Sequence, residues 1–237
     1  MTRLSVNINK IATLRNARGG NVPNIIEASR KIESFGAQGI TVHPRPDERH
    51  VRYQDVRELV NVVQTEFNIE GNPNPKFIEL VLQNKPAQVT LVPDAVDAIT
   101  SNSGWDTLKH KVFLQDVIAT FKAEGIRTSI FVNPEPKWIE GAKAVGADRI
   151  ELYTEAYATN FTIDKQKAIQ PYILSANKAF ELGLGINAGH DLSLQNISFF
   201  KNNMPYLDEV SIGHALITES LYDGLETVIK KYLTYLK

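Results

Sequence analysis

A chain of 237 residues, 43% hydrophobic and 22% charged, is long enough to bury one full core and falls in the size range of a single α/β barrel. A formal charge of -1 without long blocks of one sign excludes binding of a nucleic-acid backbone by net field, and the absence of cysteine excludes disulfides, thiolate nucleophiles and thiolate metal sites. Residues 1–7 lack the apolar core of a signal peptide and no run reaches membrane-spanning length, so the expected setting is the cytoplasm, with neither membrane nor nucleic acid as partner.

Residues 4–8 read as the first strand, and residues 9–19 as a loop carrying amide, ammonium and guanidinium groups. Apolar residues then recur at helical spacing at Ile25, Ala28, Ile32 and Phe35, with Pro23 in the first turn and Gly36 as a left-handed cap. A second strand over residues 39–43 leads to a helix marked by Val56, Leu59, Val60 and Val63. The third strand, residues 67–70, runs into a loop, Gly71-Asn72-Pro73-Asn74-Pro75, and the fourth covers residues 88–92. Leu114, Val117, Ile118 and Phe121 mark a helix closed by Gly125, before a fifth strand at residues 127–132. Ile139, Ala142 and Val145 mark the next, closed by Gly146, before a sixth strand at residues 149–153. Ile169, Ile173, Ala176 and Phe180 follow, with Pro171 at the expected helix start and Gly183 after its end. Residues 183–187 and 209–213 are the last two strands. The final helix, with Leu221, Leu225, Val228 and Tyr232, is interrupted by Gly224, at a cost of about 1 kcal/mol relative to alanine.

Strands alternating tightly with helices predict a parallel sheet with right-handed crossovers. Eight such units favour closure into a (β/α)8 TIM barrel over an open doubly wound sheet with one unit miscounted. No linker, solenoid repeat or low-complexity tract divides the chain, so residues 1–237 are expected to form a single catalytic domain.

In a barrel of this kind, reacting groups converge at the C-terminal ends of the strands and in the loops after them. His43, His50, His190 and His214 fall there, and Glu70 and Glu151 end strands three and six. The segment His43-Pro44-Arg45-Pro46-Asp47-Glu48-Arg49-His50 holds two imidazoles and two guanidiniums, which suits phosphate binding and proton exchange. A solvated charged loop is the plainer reading. A metal site made by His43, His50 and Glu70 is a third, against which stand the missing His-x-His pattern and the nearby arginines. Glu70 and Glu151 could serve as general acid or base, or could be buried partners of arginine. Asn187-Ala188-Gly189-His190-Asp191 and Ser211-Ile212-Gly213-His214-Ala215 each end a strand with a Gly-His pair. The second opens onto a helix whose first amides could bind an anion.

Seven motifs in order now form a pattern: the N-terminal segment with Asn7, Asn9, Lys10 and Arg18; Thr41-Val42-His43-Pro44-Arg45 with His50; Asn68-Ile69-Glu70; Leu91-Val92-Pro93; Ile150-Glu151-Leu152; Asn187-Ala188-Gly189-His190; and Ile212-Gly213-His214. Together they span essentially the whole chain and resemble the pyridoxine 5'-phosphate synthase family. The resemblance implies a barrel enzyme, a transferase that condenses 3-amino-2-oxopropyl phosphate with 1-deoxy-D-xylulose 5-phosphate to give pyridoxine 5'-phosphate, phosphate and water, using neither metal nor organic cofactor. It implies that His43 and Glu70 are general bases, His190 a general acid and Glu151 a stabiliser of charged intermediates. Arg45, His50 and Thr100 would hold the pentulose phosphate, with Asn9 and Lys10 at further positions of that site. Asn7, Arg18, Gly213 and His214 would hold the amino ketone phosphate, and Asp191 also falls at a substrate-binding position.

This chain departs from the commoner family pattern by having Asn9 and Lys10 in place of aspartate and histidine, and Asp191 in place of glycine. Asp191 is expected to cap the helix that follows it. The competing readings are another phosphosugar aldolase or isomerase, with Lys10 forming a Schiff base, and a non-catalytic phosphometabolite-binding barrel. The family also implies a homo-octamer built from dimers through added helices, for which residues 101–110 with Trp105 are a candidate, while residues 92–104 are a candidate lid.

Overall fold

Short runs rich in Val, Ile and Leu alternate with small or polar residues, and each such run becomes one parallel strand. In the computed structural model, which describes residues 1–94 and 103–237, the strands are β1 (Arg3–Asn7), β2 (Gly39–Val42), β3 (Glu66–Gly71), β4 (Gln88–Leu91), β5 (Arg127–Val132), β6 (Arg149–Tyr153), β7 (Gly185–Gly189) and β8 (Glu209–Ile212). They pair in sequence order and close, with β1 beside both β2 and β8. The TIM barrel expected from the alternation is therefore observed. Its helices are α1 (Asn9–Asn16), α2 (Ile25–Ser34), α3 (Tyr53–Leu59), α4 (Pro75–Asn84), α5 (Lys111–Ala123), α6 (Pro136–Ala144), α7 (Glu155–Glu181), α8 (Ile197–Asn203), α9 (His214–Asp223) and α10 (Leu225–Tyr235). Among the described residues no helix is long and apolar enough to cross a membrane.

The two-residue period of a strand sorts the side chains. Leu4, Val6, Ile40, Val42, Ile69, Val89, Leu91, Ile150, Leu152, Val210 and Ile212 form one apolar core with helix residues such as Leu80, Leu114, Phe121, Ile139, Ala176 and Val228. Each fully buried Leu, Ile or Val contributes roughly 1.5–3 kcal/mol. The alternate positions carry polar groups bonded to one another: Ser5 to Thr41 at 2.7 Å, Asn68 to Thr41 at 3.3 Å and Thr90 to Asn68 at 3.1 Å. Below this layer Glu66 accepts from both Arg3 and Arg127, and Arg149 donates to Asn187 at 2.8 Å. The same alternation continued upward brings Asn7, Glu70, Glu151 and Ser211 to the C-terminal end.

Several local expectations need correction. The chain after β1 is helical from Asn9, not a loop. α4 follows β3 almost at once, because the Asn74 side chain accepts the Phe77 N–H at 3.0 Å and Pro75 occupies the first turn. Pro23 lies before the helix it was expected to begin, and Asn24 caps α2 by accepting from Glu27 N–H at 2.9 Å. Pro171 lies inside α7, whose break is at Asp164 (φ -154°, ψ 89°), where the carboxylate accepts the Lys167 N–H at 3.0 Å and restarts the helix. β7 begins two residues later than expected because Gly183, at φ 67°, still belongs to the turn ending α7. Gly224, at φ 82°, separates α9 from α10 and does not interrupt a helix.

Residues 103–106 have no regular structure and residues 107–110 form a turn, not an added helix, and Trp105 is buried in the barrel's own core, with its backbone N–H bonded to the Phe131 carbonyl at 2.8 Å. Most of the candidate lid, and residues 101 and 102, lie outside the described residues. Gly104 packs against the backbone at the end of β5. A Cβ there would lie 2.3 Å from Val132 Cα and 2.4 Å from Asn133 N, contacts no rotamer can relieve. Gly104→Ala is expected to cost about 3 kcal/mol. A parent-like urea midpoint would contradict that close approach.

Candidate active site

The first strand turns into α1 through two side-chain amides. Asn7 Nδ2 donates to Glu70 Oε2 at 3.3 Å, while Asn7 Oδ1 accepts the Asn9 N–H at 3.0 Å. Asn9 Oδ1 in turn accepts the His43 N–H at 2.9 Å. These bonds tie the ends of β1, β2 and β3 together. They aim the Asn9 amide at protein backbone, whereas Lys10 and Arg18 are exposed.

His43 follows β2 directly and is buried, its ring 6.1 Å from that of His50. His50 Nδ1 accepts the Val51 N–H at 3.0 Å, so its neutral form carries the ring proton on Nε2. Burial, then the charge of Arg45, holds His43 well below the usual imidazole range. Burial with Arg45 and Lys10 lowers His50 to about 4. Both rings are therefore neutral near pH 7. Arg45 is buried and bonded to Asp94 at 2.5 Å. These two residues and His43 line a cavity of about 130 Å³ closed by Pro44, Pro46 and Phe77.

Glu70 lies between Asn7 and the Ser211 hydroxyl. Burial raises its carboxyl to about 7, helped by Asp94 and opposed by His190, Arg45 and the Ser211 bond. Glu151 is pushed well above the carboxylate range by burial, then by Glu70 and Glu209, and its Oε2 has no hydrogen-bond partner. Gly189 makes room for it, since a Cβ there would stand 2.5 Å from Glu151 Oε1. Gly213 likewise clears Asn7, whose Cβ, Cγ and Oδ1 would lie 3.1–3.2 Å from an added Cβ.

His190 and Asp191 follow β7 with φ of 77° and 41°. The Thr154 hydroxyl reaches the carbonyl oxygens of Gly189 and His190, and Asn196 Nδ2 donates to the Asp191 carbonyl at 3.2 Å. The His190 ring meets Tyr153 edge-on at 5.2 Å and lies 6.3 Å from Phe131. Asp191 does not cap the next helix, which starts after Asn196. Its carboxylate turns back to His190 Nδ1 at 3.1 Å.

The structure thus gathers His43, Arg45, His50, Glu70, Glu151, His190 and Asn7 around one mouth, with Gly213 against Asn7. His214 opens α9 as an exposed residue whose charge reaches Asp191. Thr100 lies outside the described residues. Asp94, Ser211 and Tyr153 were not assigned roles from sequence. All three stand at or just past a strand's C-terminal end, the rule that found the histidines. Among the described residues, no group of three His, Asp or Glu side chains is placed to hold a metal ion.

A closed parallel barrel with imidazoles, carboxylates and guanidinium at its C-terminal mouth defines a TIM-barrel enzyme. Residues 4–237 match the family described as pyridoxal phosphate biosynthesis protein PdxJ. Two curated relatives, the pyridoxine 5'-phosphate synthases of Christiangramia forsetii and Flavobacterium johnsoniae, are 69% and 64% identical over 237 residues, covering all of both chains. The chain belongs to the PdxJ family and is an enzyme of vitamin B6 biosynthesis. Solved structures share the fold at low identity. Tryptophan synthase from M. tuberculosis superposes with a TM-score of 0.67 at 13% identity, over 100% of this chain and 94% of that one. N-(5'-phosphoribosyl)anthranilate isomerase from Pyrococcus furiosus gives 0.64 at 11%, over 100% and 98%.

Proposed function

We propose that the chain catalyses the pyridoxine 5'-phosphate synthase reaction, a transferase-type condensation of 3-amino-2-oxopropyl phosphate with 1-deoxy-D-xylulose 5-phosphate that releases phosphate and water. The observation that carries this reading is Glu70, a carboxyl poised at about 7 at the mouth, in the fields of His190 and Arg45, both of which also act on neutral His43. Imine formation, dehydration, phosphate loss and ring closure all need proton transfers by groups poised near the working pH.

In this reading neutral His43 and ionised Glu70 take protons, and His190 delivers one. Glu151, neutral when the site is empty, passes its proton to the developing imine nitrogen, and the carboxylate left behind stabilises that cation beside its partnerless Oε2. Arg45, His50 and Thr100 hold the pentulose phosphate, with Lys10 adding a cation at the rim. Asn9 supports that site through the His43 backbone. Asn7, Arg18, Gly213 and His214 hold the amino ketone phosphate, and Asp191 contributes its backbone N–H there, its carboxylate being turned to His190. Lys10 lies exposed at the start of α1, outside the kind of apolar pocket a Schiff-base lysine uses.

A homo-octamer in the cytoplasm completes the proposal. Exposed Leu221 and Tyr222 near the end of α9 supply apolar surface for contacts between copies. The direct test mixes metal-stripped protein with both phosphates and follows pyridoxine 5'-phosphate by mass. Product requiring both substrates is expected; folded protein that makes none sinks the reading.

A further inference from the structure

Two consecutive residues with side chains occupy the left-handed region at the end of β7, a conformation that residues other than glycine rarely adopt. Asp191 stands at φ 41°, a conformation aspartate tolerates when its short side chain bonds locally. Here the local partner is the preceding imidazole, with Asp191 Oδ2 3.1 Å from His190 Nδ1. A carboxylate can only accept, so the nitrogen facing it carries the hydrogen. Asp191 is held ionised, its carboxyl lowered first by the bond to His190 and further by the charge of His214.

We propose that Asp191 is the positioning residue for His190, fixing its ring proton on Nδ1 so that Nε2 is the nitrogen that exchanges protons with substrate. The carboxylate sets the tautomer, while Tyr153 and Phe131 limit the ring's swing. Thr154 and Asn196 hold the strained backbone that lets the carboxylate curl back. The charged and titratable groups facing the pair include Glu70 from β3, His43 after β2, Tyr153 from β6, Tyr172 from α7 and His214 from α9. Glu70 and His43 are the other proposed proton carriers, so a fixed Nε2, which takes up a proton and then passes it on, gives the set one defined point of exchange. The pairing also engages a negative charge that would otherwise oppose a phosphate at His214.

The catalytic half of this inference rests on the proposed synthase reaction; the tautomer half does not. Magic-angle-spinning NMR of ligand-free, ¹⁵N-histidine protein, with the signal assigned by His190→Gln, reads the tautomer directly. The parent is expected to show neutral His190 protonated at Nδ1. Asp191→Asn, which tolerates the same backbone and can donate to Nδ1, is expected to move that proton to Nε2. Asp191→Gly keeps the backbone and removes the acceptor. Both variants are expected to lose about 10- to 100-fold in kcat with KM for either substrate nearly unchanged, a smaller loss than in a fully buried triad. A parent whose neutral His190 carries its proton on Nε2 overturns the assignment. So does a kcat equal to the parent's in Asp191→Asn. An Nδ1–H ring in a protein without synthase activity upholds the pair and sinks the proposed reaction instead.

Discussion

Replacing Glu70 with glutamine is expected to lower kcat by about three orders of magnitude, the size of effect assigned to a positioned acid or base. The substitution isolates proton transfer well. A glutamine oxygen can still accept from Asn7 Nδ2 and the Ser211 hydroxyl, so the links from β3 to β1 and β8 survive. In the parent, kcat/KM should fall on the acid side with a limb near pH 7, where Glu70 gains its proton. The variant's residual rate should lack that limb. Activity within ten-fold of the parent, in a variant with an unchanged circular dichroism spectrum, would remove Glu70 from the chemistry.

The same group makes a stability prediction of defined sign. Glu70 titrates at about 7 in the folded chain against 4.5 as its ordinary value, so between those pH values the folded state binds more protons than the unfolded one. Its contribution is fully present below 4.5 and is lost as pH rises through 7, a loss on the order of 3 kcal/mol. The glutamine variant escapes this loss. It should match the parent in urea unfolding at pH 4 and exceed it at pH 8, so that one substitution removes activity and adds stability. Active sites carry such costs when a charge must be held where water has been excluded.

The barrel was legible because its signals are local. Leu4 and Val6, or Ile40 and Val42, declare a strand by alternation, and Gly36, Gly125, Gly146 and Gly183 all take the positive φ that ends a helix. The end-of-strand rule then located the four histidines and two glutamates. α1 escaped notice because it is short, has no side-chain cap and buries only Ile11, Ala12 and Arg15, leaving polar residues that look like a loop. The break in α7 was misplaced because proline is a stronger signal than aspartate, although Asp164 is what bonds the new first turn. The pairs that tune the site were hidden for another reason. Arg45 meets Asp94 from 49 positions away, and the His43 N–H meets Asn9 from 34. Only closure of the barrel brings such partners together. Asp191 and His190 are adjacent, yet their contact depends on two left-handed residues in succession, which composition does not announce.

The largest stability effect is expected at Arg15. Its guanidinium holds Asp55 through two parallel bonds, Nη1 to Oδ1 at 2.7 Å and Nη2 to Oδ2 at 2.8 Å, with both residues buried. Asp55 also accepts the Arg52 N–H at 2.7 Å. Arg15 Nη2 and Asn16 Nδ2 donate to the His50 carbonyl at 3.2 and 2.8 Å, so the end of α1 grips the loop that presents His50. Arg15→Met leaves a buried carboxylate without its cation and should cost about 3–5 kcal/mol in chemical denaturation. Adding Asp55→Leu removes the stranded charge, and the double variant should recover most of that loss, since apolar replacements of buried ion pairs are often neutral or better. Its stability and its binding should then part company. The double variant still lacks the Arg15 donor to the His50 carbonyl, so under the proposed reaction its KM for the pentulose phosphate should stay raised several-fold while kcat recovers. If KM returns with stability, the grip on His50 comes from Asn16 alone, and the Arg15–Asp55 pair serves only to fasten α1 to α3.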